Sequence, residues 1–388
     1  MTLAYLSRPS LKRSEEVQRS YPKVWIRVPN RKGRLPSKAK RPAMSHDVVL
    51  IKGDGIGPEI SHSVQKVFHA AGAPINWVER HAGVAALERG TKVLPDDTVE
   101  AMKDIRLALK GPCSTPIGKG FVSVNVAIRK TLNFYAALRP VRSLQGLKTR
   151  FDDVDLIVIR ENTEGLYAGI ENEVTPGVVA SMKVATTTAC HRIAHWAFRW
   201  ATHRRRKKIT VFHKANIMKM SDGLFLNEAR KTHKEDYPNI DYNEMIIDAG
   251  CMKLVQDPSQ FDILLLENLY GDVVSDLCAG LVGGLGVVPG ANFGDDSACF
   301  EAVHGSAPDI AGKNLANPLA LIMSGVMMLN HLADEREDKG CAEAAAAIKA
   351  AYNACLRDGD TTRDLGGSYS TSEFTDRLIE RLGAPAQE

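Results

Sequence analysis

No apolar run in this 388-residue sequence reaches the roughly 18–20 residues that a membrane-spanning helix needs. The longest candidates, around Leu319–Leu329 and Ala279–Val288, are shorter and broken by Gly or Ser. Paired cysteine spacing is missing too. Cys113, Cys190, Cys251, Cys278, Cys299, Cys341 and Cys355 are scattered, odd in number and nowhere spaced CxxC. That argues against a zinc site or a disulfide frame and for reduced thiols inside a cell. Internal repeats are absent. Acidic residues are scarce only at the start: residues 1–43 hold 12 Lys/Arg and five Pro, against Glu15 and Glu16. The formal charge of +4 for the whole chain therefore becomes −6 for the remainder. A pI near 8.6 is thus no argument for nucleic-acid binding. Hydrophobic content of 44% and charged content of 25% are ordinary for a globular protein, and the length suits two to three lobes.

The basic prefix, residues 1–43, reads as a disordered tail. It is Arg-rich and acid-poor like a transit peptide, but its glutamates and prolines spoil an amphipathic helix. Met44 is followed almost at once by a good strand, Asp47–Ile51, so an over-long prefix before a start at Met44 is the preferred reading. The expected location is the cytoplasm, with the mitochondrial matrix as the alternative.

What is present is an α/β pattern. Ile51-Lys-Gly-Asp-Gly-Ile-Gly-Pro-Glu59 tempts a dinucleotide fingerprint, but Pro58 stands where the third glycine belongs. It is a strand, a tight glycine turn and a helix start, with Ile56, Ile60, Val64, Val67 and Phe68 at helical spacing. A polar Gly/Pro loop, Leu109–Gly120, follows another strand, and such loops bind ligands in α/β proteins. Arg129, Arg139 and Arg160 fall in three separate segments. Arginine suits bidentate recognition of carboxylates, and Ser123 and Asn125 add neutral hydrogen bonds. Surface or structural arginines are the plainer alternative.

Tyr167 begins a segment with little helical character. Val178–Val184 reads as a strand, and Pro176-Gly177 between them makes an extended arm suited to packing on another subunit. The run His203–Lys208 reads as a solvated turn, not a nucleic-acid site. Lys214 ends a strand, a place for a general base or for a plain salt bridge. Asp248 also reads as a strand-end residue. Residues 314–332 and 342–356 read as helices.

In Asn268-Leu-Tyr-Gly-Asp-Val-Val-Ser-Asp276, two carboxylates fall four apart. On a helix Asp272 and Asp276 share one face. Oxygen ligands at the start of a helix suit Mg²⁺ or Mn²⁺; complementing the helix dipole is the bland alternative. Glu301-Ala-Val-His-Gly-Ser-Ala-Pro-Asp-Ile310 is a second Gly/Ser loop, able to approach a phosphate through its backbone.

Together the motifs GDGIGPE, SVNVAIRK, RENTEGLYAG, HKANIMK, NLYGDVVSD and HGSAPDIAGKNLANP resemble the β-decarboxylating dehydrogenases, the family of isocitrate, isopropylmalate and homoisocitrate dehydrogenases. The resemblance covers roughly residues 46–384 and is strongest to the NAD-dependent, isocitrate-oxidising, catalytic branch. It implies a two-domain, non-Rossmann α/β fold. The large domain would take residues 44–135 and 284–388, the small domain 136–283, with an intersubunit clasp at about 165–187. It implies a homodimer or higher oligomer with shared active sites, no nucleic acid and no membrane.

By motif position the resemblance makes Tyr167 and Lys214 the acid–base pair. It gives the substrate Arg129, Arg139, Arg160, Ser123, Asn125, Lys110, Thr115 and Asn216. It gives Mg²⁺ or Mn²⁺ the ligands Asp272 and Asp276, with Asp248 coming from a second protomer. It gives the cofactor Ser114, Glu301, His304, Gly305, Ser306, Ala307, Asp309, Ile310 and Asn317. Polar Ser123 and Asn125 disfavour an isopropyl substituent, which would leave them unpaired. Asp309-Ile310 stands where NADP-using relatives carry Lys-Tyr; a carboxylate accepts from a ribose diol and repels a 2′-phosphate, so NAD is expected. Lys52 departs from the proline usual at its position. The implied reaction is oxidative decarboxylation of isocitrate to 2-oxoglutarate. Homoisocitrate or isopropylmalate oxidation, or a non-catalytic regulatory role in a hetero-oligomer, are the alternatives. Asp272→Asn is expected to abolish metal-dependent turnover with little cost to the fold.

Overall fold

The computed structural model describes residues 45–114 and 123–383, which belong to one compact unit. The prefix 1–43 and Thr115 lie outside the described residues. Twelve strands are formed among the described residues: β1 His46–Ile51, β2 Ile75–Arg80, β3 Leu107–Lys110, β4 Ala136–Arg142, β5 Asp155–Glu161, β6 Gly165–Thr175, β7 Val178–Val184, β8 Lys208–His213, β9 Asp241–Ile246, β10 Ile263–Leu266, β11 Pro289–Phe293 and β12 Ala298–Ala302. The helices are α1 Gly57–Ala70, α2 Val84–Leu87, α3 Asp96–Ile105, α4 Val124–Thr131, α5 Thr187–His203, α6 Ser221–Asp236, α7 Ile247–Gln256, α8 Asn268–Leu281, α9 Leu319–Arg336, α10 Lys339–Arg357 and α11 Thr371–Glu380.

Ten strands make one sheet in the order β2-β1-β3-β12-β11-β4-β5-β10-β8-β9. Both wings are parallel. The left wing is β2-β1-β3-β12 and the right wing β5-β10-β8-β9. The middle, β12-β11-β4-β5, is antiparallel. Parallel strands are covered on both faces, so they read as continuous apolar runs. Val48–Ile51 and Ile263–Leu266 are such runs and are fully buried. One core cluster runs from β1 through α8 to α9, α10 and α11, and a second packs α5 and α6 on the right wing.

Local signals place several helix starts. Pro58 sits in the first turn of α1, where a missing N–H costs nothing. Asp338 accepts from Cys341 N at 3.1 Å to cap α10. Ser370 and Glu373 form a capping box at α11. Two expectations need correction. The helix expected from residue 314 begins at Leu319, with Pro318 as its N-cap residue. Asp248 is not at a strand end but in the first turn of α7, where a carboxylate complements the helix dipole.

The expected arm is present. β6 and β7 pair antiparallel as a separate two-stranded sheet. Ile170, Val174, Val178, Val179 and Met182 on it are exposed. The basic run is neutralised locally: Arg204 pairs with Asp334 at 2.7 Å, and Arg206 with Asp155 and Asp262 at 2.6 and 2.8 Å. No described helix is long and apolar enough to cross a membrane.

Candidate active site

The cavity of interest lies over the antiparallel middle of the sheet, where the strand direction switches. Its volume is about 250 Å³. β4 and β5 supply Arg139 and Arg160; the pairs Arg139–Val158 and Ala137–Arg160 are in register, so both guanidinium groups leave the same face. α4 supplies Asn125 and Arg129, one turn apart. β3 and β12 supply Lys110 and Glu301, paired in register. α8 supplies Asp272, and β6 supplies Tyr167.

α8 is a single working face. Glu267 caps it, accepting from Tyr270 N at 2.8 Å. Asn268, Asp272 and Asp276 follow at four-residue spacing. Arg160, only 1% exposed, lies along that face. Its Nε and Nη2 donate to Asn268 Oδ1 at 3.0 and 2.6 Å, and its Nη1 donates to Asp272. Gly271 makes the fit possible: a Cβ there would lie 2.5 Å from Arg160 Cγ. Arg139 donates to Ser275 and, at 3.4 Å each, to Asp272 and Asp276. The Tyr167 hydroxyl donates to Asp272 Oδ2 at the same carboxylate, and the Arg160 guanidinium stacks 5.0 Å from the Tyr167 ring.

The charges follow from these contacts. Burial works against ionising Asp272, but the Arg160 charge and the Tyr167 hydrogen bond outweigh it and lower its pKa. Burial raises Asp276, against the pull of Arg139. Burial and the bond to Asp272 raise Tyr167, so it is held as a phenol. Burial and the neighbouring Arg139 and Arg129 pull Arg160 down to about 10, which still leaves it cationic at neutral pH.

Beneath the cavity lies a buried ion network. Lys110 Nζ meets Glu301 Oε2 at 2.7 Å, and Arg129 Nη2 donates to Glu301 Oε1 at 3.1 Å. Asn292 donates to the same oxygen at 2.7 Å and accepts from Asn162 at 3.0 Å. Burial alone would lower Lys110 and raise Glu301; their mutual attraction reverses both, with Arg129 adding to the effect on Glu301.

Three polar atoms at the cavity are buried without a hydrogen-bond partner among the described residues: Asn125 Oδ1, Arg129 Nε and His304 Nε2. Ser123 holds the N-cap position of α4, yet its hydroxyl caps no amide. Buried groups left unpaired are costly; Arg129 Nε suits an anionic acceptor, while Asn125 Oδ1 and His304 Nε2, whose Nδ1 faces the Gly305 carbonyl at 3.0 Å, need donors.

The loop expected to receive the cofactor is only partly at the cavity. Glu301, His304 and Gly305 line it. Burial lowers His304, which keeps its ring neutral. Ser306 Oγ meets Ser114 Oγ at 2.6 Å. Ala307 takes the left-handed backbone at φ 39°, and Asp309 and Ile310 follow on a 3₁₀ turn. Asn317 is held elsewhere: its amide donates to Asp364 at 3.0 Å and its oxygen accepts from Leu319 N at 2.9 Å. The open space beside Gly305, with no atom within 4 Å of a Cβ there, and the free His304 nitrogen fit a nucleotide approaching this loop.

Lys214, Asn216 and Asp248 are not brought to the cavity in a single chain. Lys214 Nζ instead donates to Asp248 Oδ1 at 2.7 Å, and that bond lowers Asp248. The oxygen-only pair Asp272 and Asp276 is of a kind that fits a hard cation, and Asp248 does not join it within one chain. Among the described residues, three potential ligands meet only at His46, Asp338 and Cys341. Arg336 Nη1 contacts His46 Nδ1 at 2.8 Å, and His46 Nε2 meets Asp338 at 2.7 Å. A cation there would need an imidazole whose second nitrogen faces a guanidinium donor, so the cluster is read as structural.

Sequence reasoning missed Asn268, Ser275, Asn292 and Asn162. Asn268 was findable, since it continues the four-residue spacing of the two aspartates. Ser275 holds Arg139, Asn292 holds Glu301, and Asn162 holds Asn292, all through long-range contacts with no local signature.

A sheet switch lined by three arginines, an oxygen-only carboxylate pair and a second, glycine-bearing loop defines an α/β enzyme for a small polyanion. The chain belongs to the isocitrate/isopropylmalate dehydrogenase family, whose model matches residues 47–378. It is 52% identical to the mitochondrial NAD isocitrate dehydrogenase catalytic subunit 5 of Arabidopsis thaliana over 335 residues, 86% of this chain and 87% of that one. It is 51% identical over 341 residues to a mitochondrial NAD isocitrate dehydrogenase regulatory subunit of Dictyostelium discoideum, covering 86% and 91%. The crystal structure of isocitrate dehydrogenase from Methylococcus capsulatus superposes with a TM-score of 0.82 at 46% identity, covering 87% of this chain and 99% of that one.

Proposed function

We propose that this chain catalyses the NAD-dependent oxidative decarboxylation of isocitrate to 2-oxoglutarate and CO₂. The observation that carries this reading is the convergence of Arg129, Arg139 and Arg160 with unpaired Asn125 on one cavity. Three carboxylates need that many cationic partners, and an isopropyl group would offer the Asn125 amide NH2 no acceptor.

Arg139 and Arg160 bind two substrate carboxylates, exchanging part of their contact with Asp272 for the ligand. Arg129 turns its free Nε toward the same substrate, and Ser123 and Asn125 take the remaining carboxylate. Lys110 keeps the Glu301 charge compensated below. Asp272 and Asp276, with Asp248 from a second copy, would hold Mg²⁺ or Mn²⁺. Such an ion supplies Lewis acidity to a hydroxyl and its neighbouring carboxylate. Lys214, on the same second copy as Asp248, takes the hydroxyl proton. Tyr167, held as a phenol, returns a proton to the carbon that loses CO₂. Asp309 selects NAD, the hydride acceptor, over a cofactor with a 2′-phosphate. Ser114, His304, Gly305 and Ser306 receive it, with Asn317, bonded to Asp364, as the remaining candidate.

Four features support an oligomer with shared sites: the exposed apolar arm β6–β7, Lys214 and Asp248 lying away from their own cavity, exposed Met218, Met220 and Ile217 beside Lys214, and relatives named as subunits. A homodimer is the simplest such assembly. The two sheet wings support a division into a large domain, residues 44–135 and 284–388, and a small domain, residues 136–283. The relatives' names support mitochondrion over cytoplasm, and mass spectrometry of the native N-terminus tests it.

A regulatory role is favoured by the name of the Dictyostelium relative. The presence of Tyr167, Lys214, Asp248, Asp272 and Asp276 together opposes it. The deciding experiment is an initial-rate assay of the purified chain alone. It compares isocitrate, homoisocitrate and isopropylmalate, NAD and NADP, with and without Mg²⁺. Preference for another acid, or activity only after adding a second type of chain, overturns the proposal.

A further inference from the structure

The turn Gly53-Asp54-Gly55-Ile56 touches both loops that line the cavity, although none of its four residues lines the cavity itself. The buried Asp54 carboxylate accepts three backbone amides. Oδ2 takes Ser114 N at 2.6 Å and Val84 N at 3.0 Å, and Oδ1 takes Ala85 N at 2.7 Å. Asp54 N donates to the Pro112 carbonyl at 2.7 Å, and Ile56 N donates to the Ser306 carbonyl at 2.9 Å. The loops also meet directly through the Ser114 and Ser306 hydroxyls.

There is no slack in this arrangement. A Cβ on Gly53 would lie 2.1 Å from Pro112 O, one on Gly55 2.0 Å from Ser306 O, and one on Gly83 2.1 Å from Asp54 Oδ2. All three glycines have positive φ. Pro112 and Cys113 of one loop and His304 and Gly305 of the other line the same cavity. A displacement of either loop is therefore passed to the other through backbone contacts that cannot yield separately.

We propose that Asp54 is a positioning residue that makes substrate and cofactor binding cooperative, by clamping the 111–114 loop to a turn that also fixes the 304–306 loop. This rests on the functional reading above, which assigns the ligands of the two loops. A carboxylate with a merely structural role would lower the melting temperature when replaced and leave the coupling between the two ligands as it was.

The test is binding, on the full-length protein. NADH cannot accept hydride, so NADH, isocitrate and Mg²⁺ form a complex without turnover. NADH is titrated by its fluorescence with and without isocitrate. In the wild type, isocitrate tightens NADH binding about fivefold or more, the lower end of ordinary coupling between sites. Asp54→Asn keeps the shape but replaces one acceptor oxygen with a donor, and the ratio of the two dissociation constants falls to about one, its value for uncoupled sites. Ser114→Ala keeps the clamp and removes the hydroxyl bridge, so its ratio falls between the two. Asp54→Asn with full coupling overturns the inference. If Asp54→Asn does not fold, Asp54→Glu, which keeps the charge but moves the carboxylate by one methylene off the three amides, takes its place, and full coupling in that variant overturns the inference. A wild type that oxidises isocitrate with NAD yet shows no coupling overturns this inference alone. A wild type that does not oxidise isocitrate overturns the functional reading, and this inference with it.

Discussion

Two cations converge on Glu301, and replacing it with glutamine removes their shared counter-charge while keeping the shape. Lys110 is 2% exposed and keeps only the Gly111 carbonyl, at 3.0 Å, as a full acceptor. Arg129 retains a neutral oxygen at best. Removing one partner of a buried ion pair costs about 3–5 kcal/mol, because the remaining charge is left in a medium of low polarity. Glu301→Gln is therefore expected to lose about 3–5 kcal/mol at neutral pH. Urea unfolding followed by circular dichroism measures it, at one fixed protein concentration because assembly contributes to apparent stability. The dependence on pH supplies a second reading. The folded-state pKa of Glu301 is depressed, so its contribution is complete above the unfolded value of 4.5 and is lost as pH falls through the folded value. Lys110 is raised, so its contribution holds below its unfolded value and is lost as pH rises through the folded one. The wild type should lose more stability on acidification than the variant does. A variant within about 1 kcal/mol of wild type at neutral pH, with the same acid slope, would refute the network as a stabilising charge cluster.

Asp272→Asn is expected to lower Mg²⁺-dependent kcat by roughly 10²-fold or more, on the scale of removing one preorganised electrostatic contact. It is also expected to destabilise the fold, because the charge it removes balances buried Arg160 and Arg139; this corrects the expectation of little structural cost. Kinetics and a melting curve on the same sample separate the two effects. Gly271→Ala pushes a Cβ against Arg160, so a loss of about 1–3 kcal/mol from overpacking is expected together with a raised KM for isocitrate. An unchanged KM would show that Arg160 is not a substrate ligand. Asp309→Ala is expected to narrow the preference for NAD over NADP by raising kcat/KM for NADP, read from paired initial rates; a preference that does not move would place cofactor selection elsewhere.

Much of the site was legible because its residues sit in contiguous motifs with a local logic. Asp272 and Asp276 share a helical face by spacing alone, and the arm was readable from Pro176-Gly177 between two non-helical runs. Sheet order was not legible. β12 lies between β3 and β11, and nothing in Ala298–Ala302 names those neighbours. The partners of the arginines were hidden for the same reason. Asn162 and Asn292 lie 130 residues apart, and an amide pair is recognised only after the strands that carry it are placed side by side. Asp248 was misplaced by one element because an apolar run ending in a carboxylate fits a strand end and a helix start equally well.

The position of β12 has a consequence for how the protein is made. Its left wing cannot close until residues 298–302 have left the ribosome, since β3 pairs with β12 on the side away from β1. Until then β3 is an unpaired edge, with Leu107 and Leu109 lacking the neighbours that bury them. The right wing, β5-β10-β8-β9, draws its strands from residues 155–266 and completes earlier. Synthesis thus leaves a folded middle waiting beside an open beginning, and a chain ended before Ala298 should be retained by chaperones or aggregate through that edge.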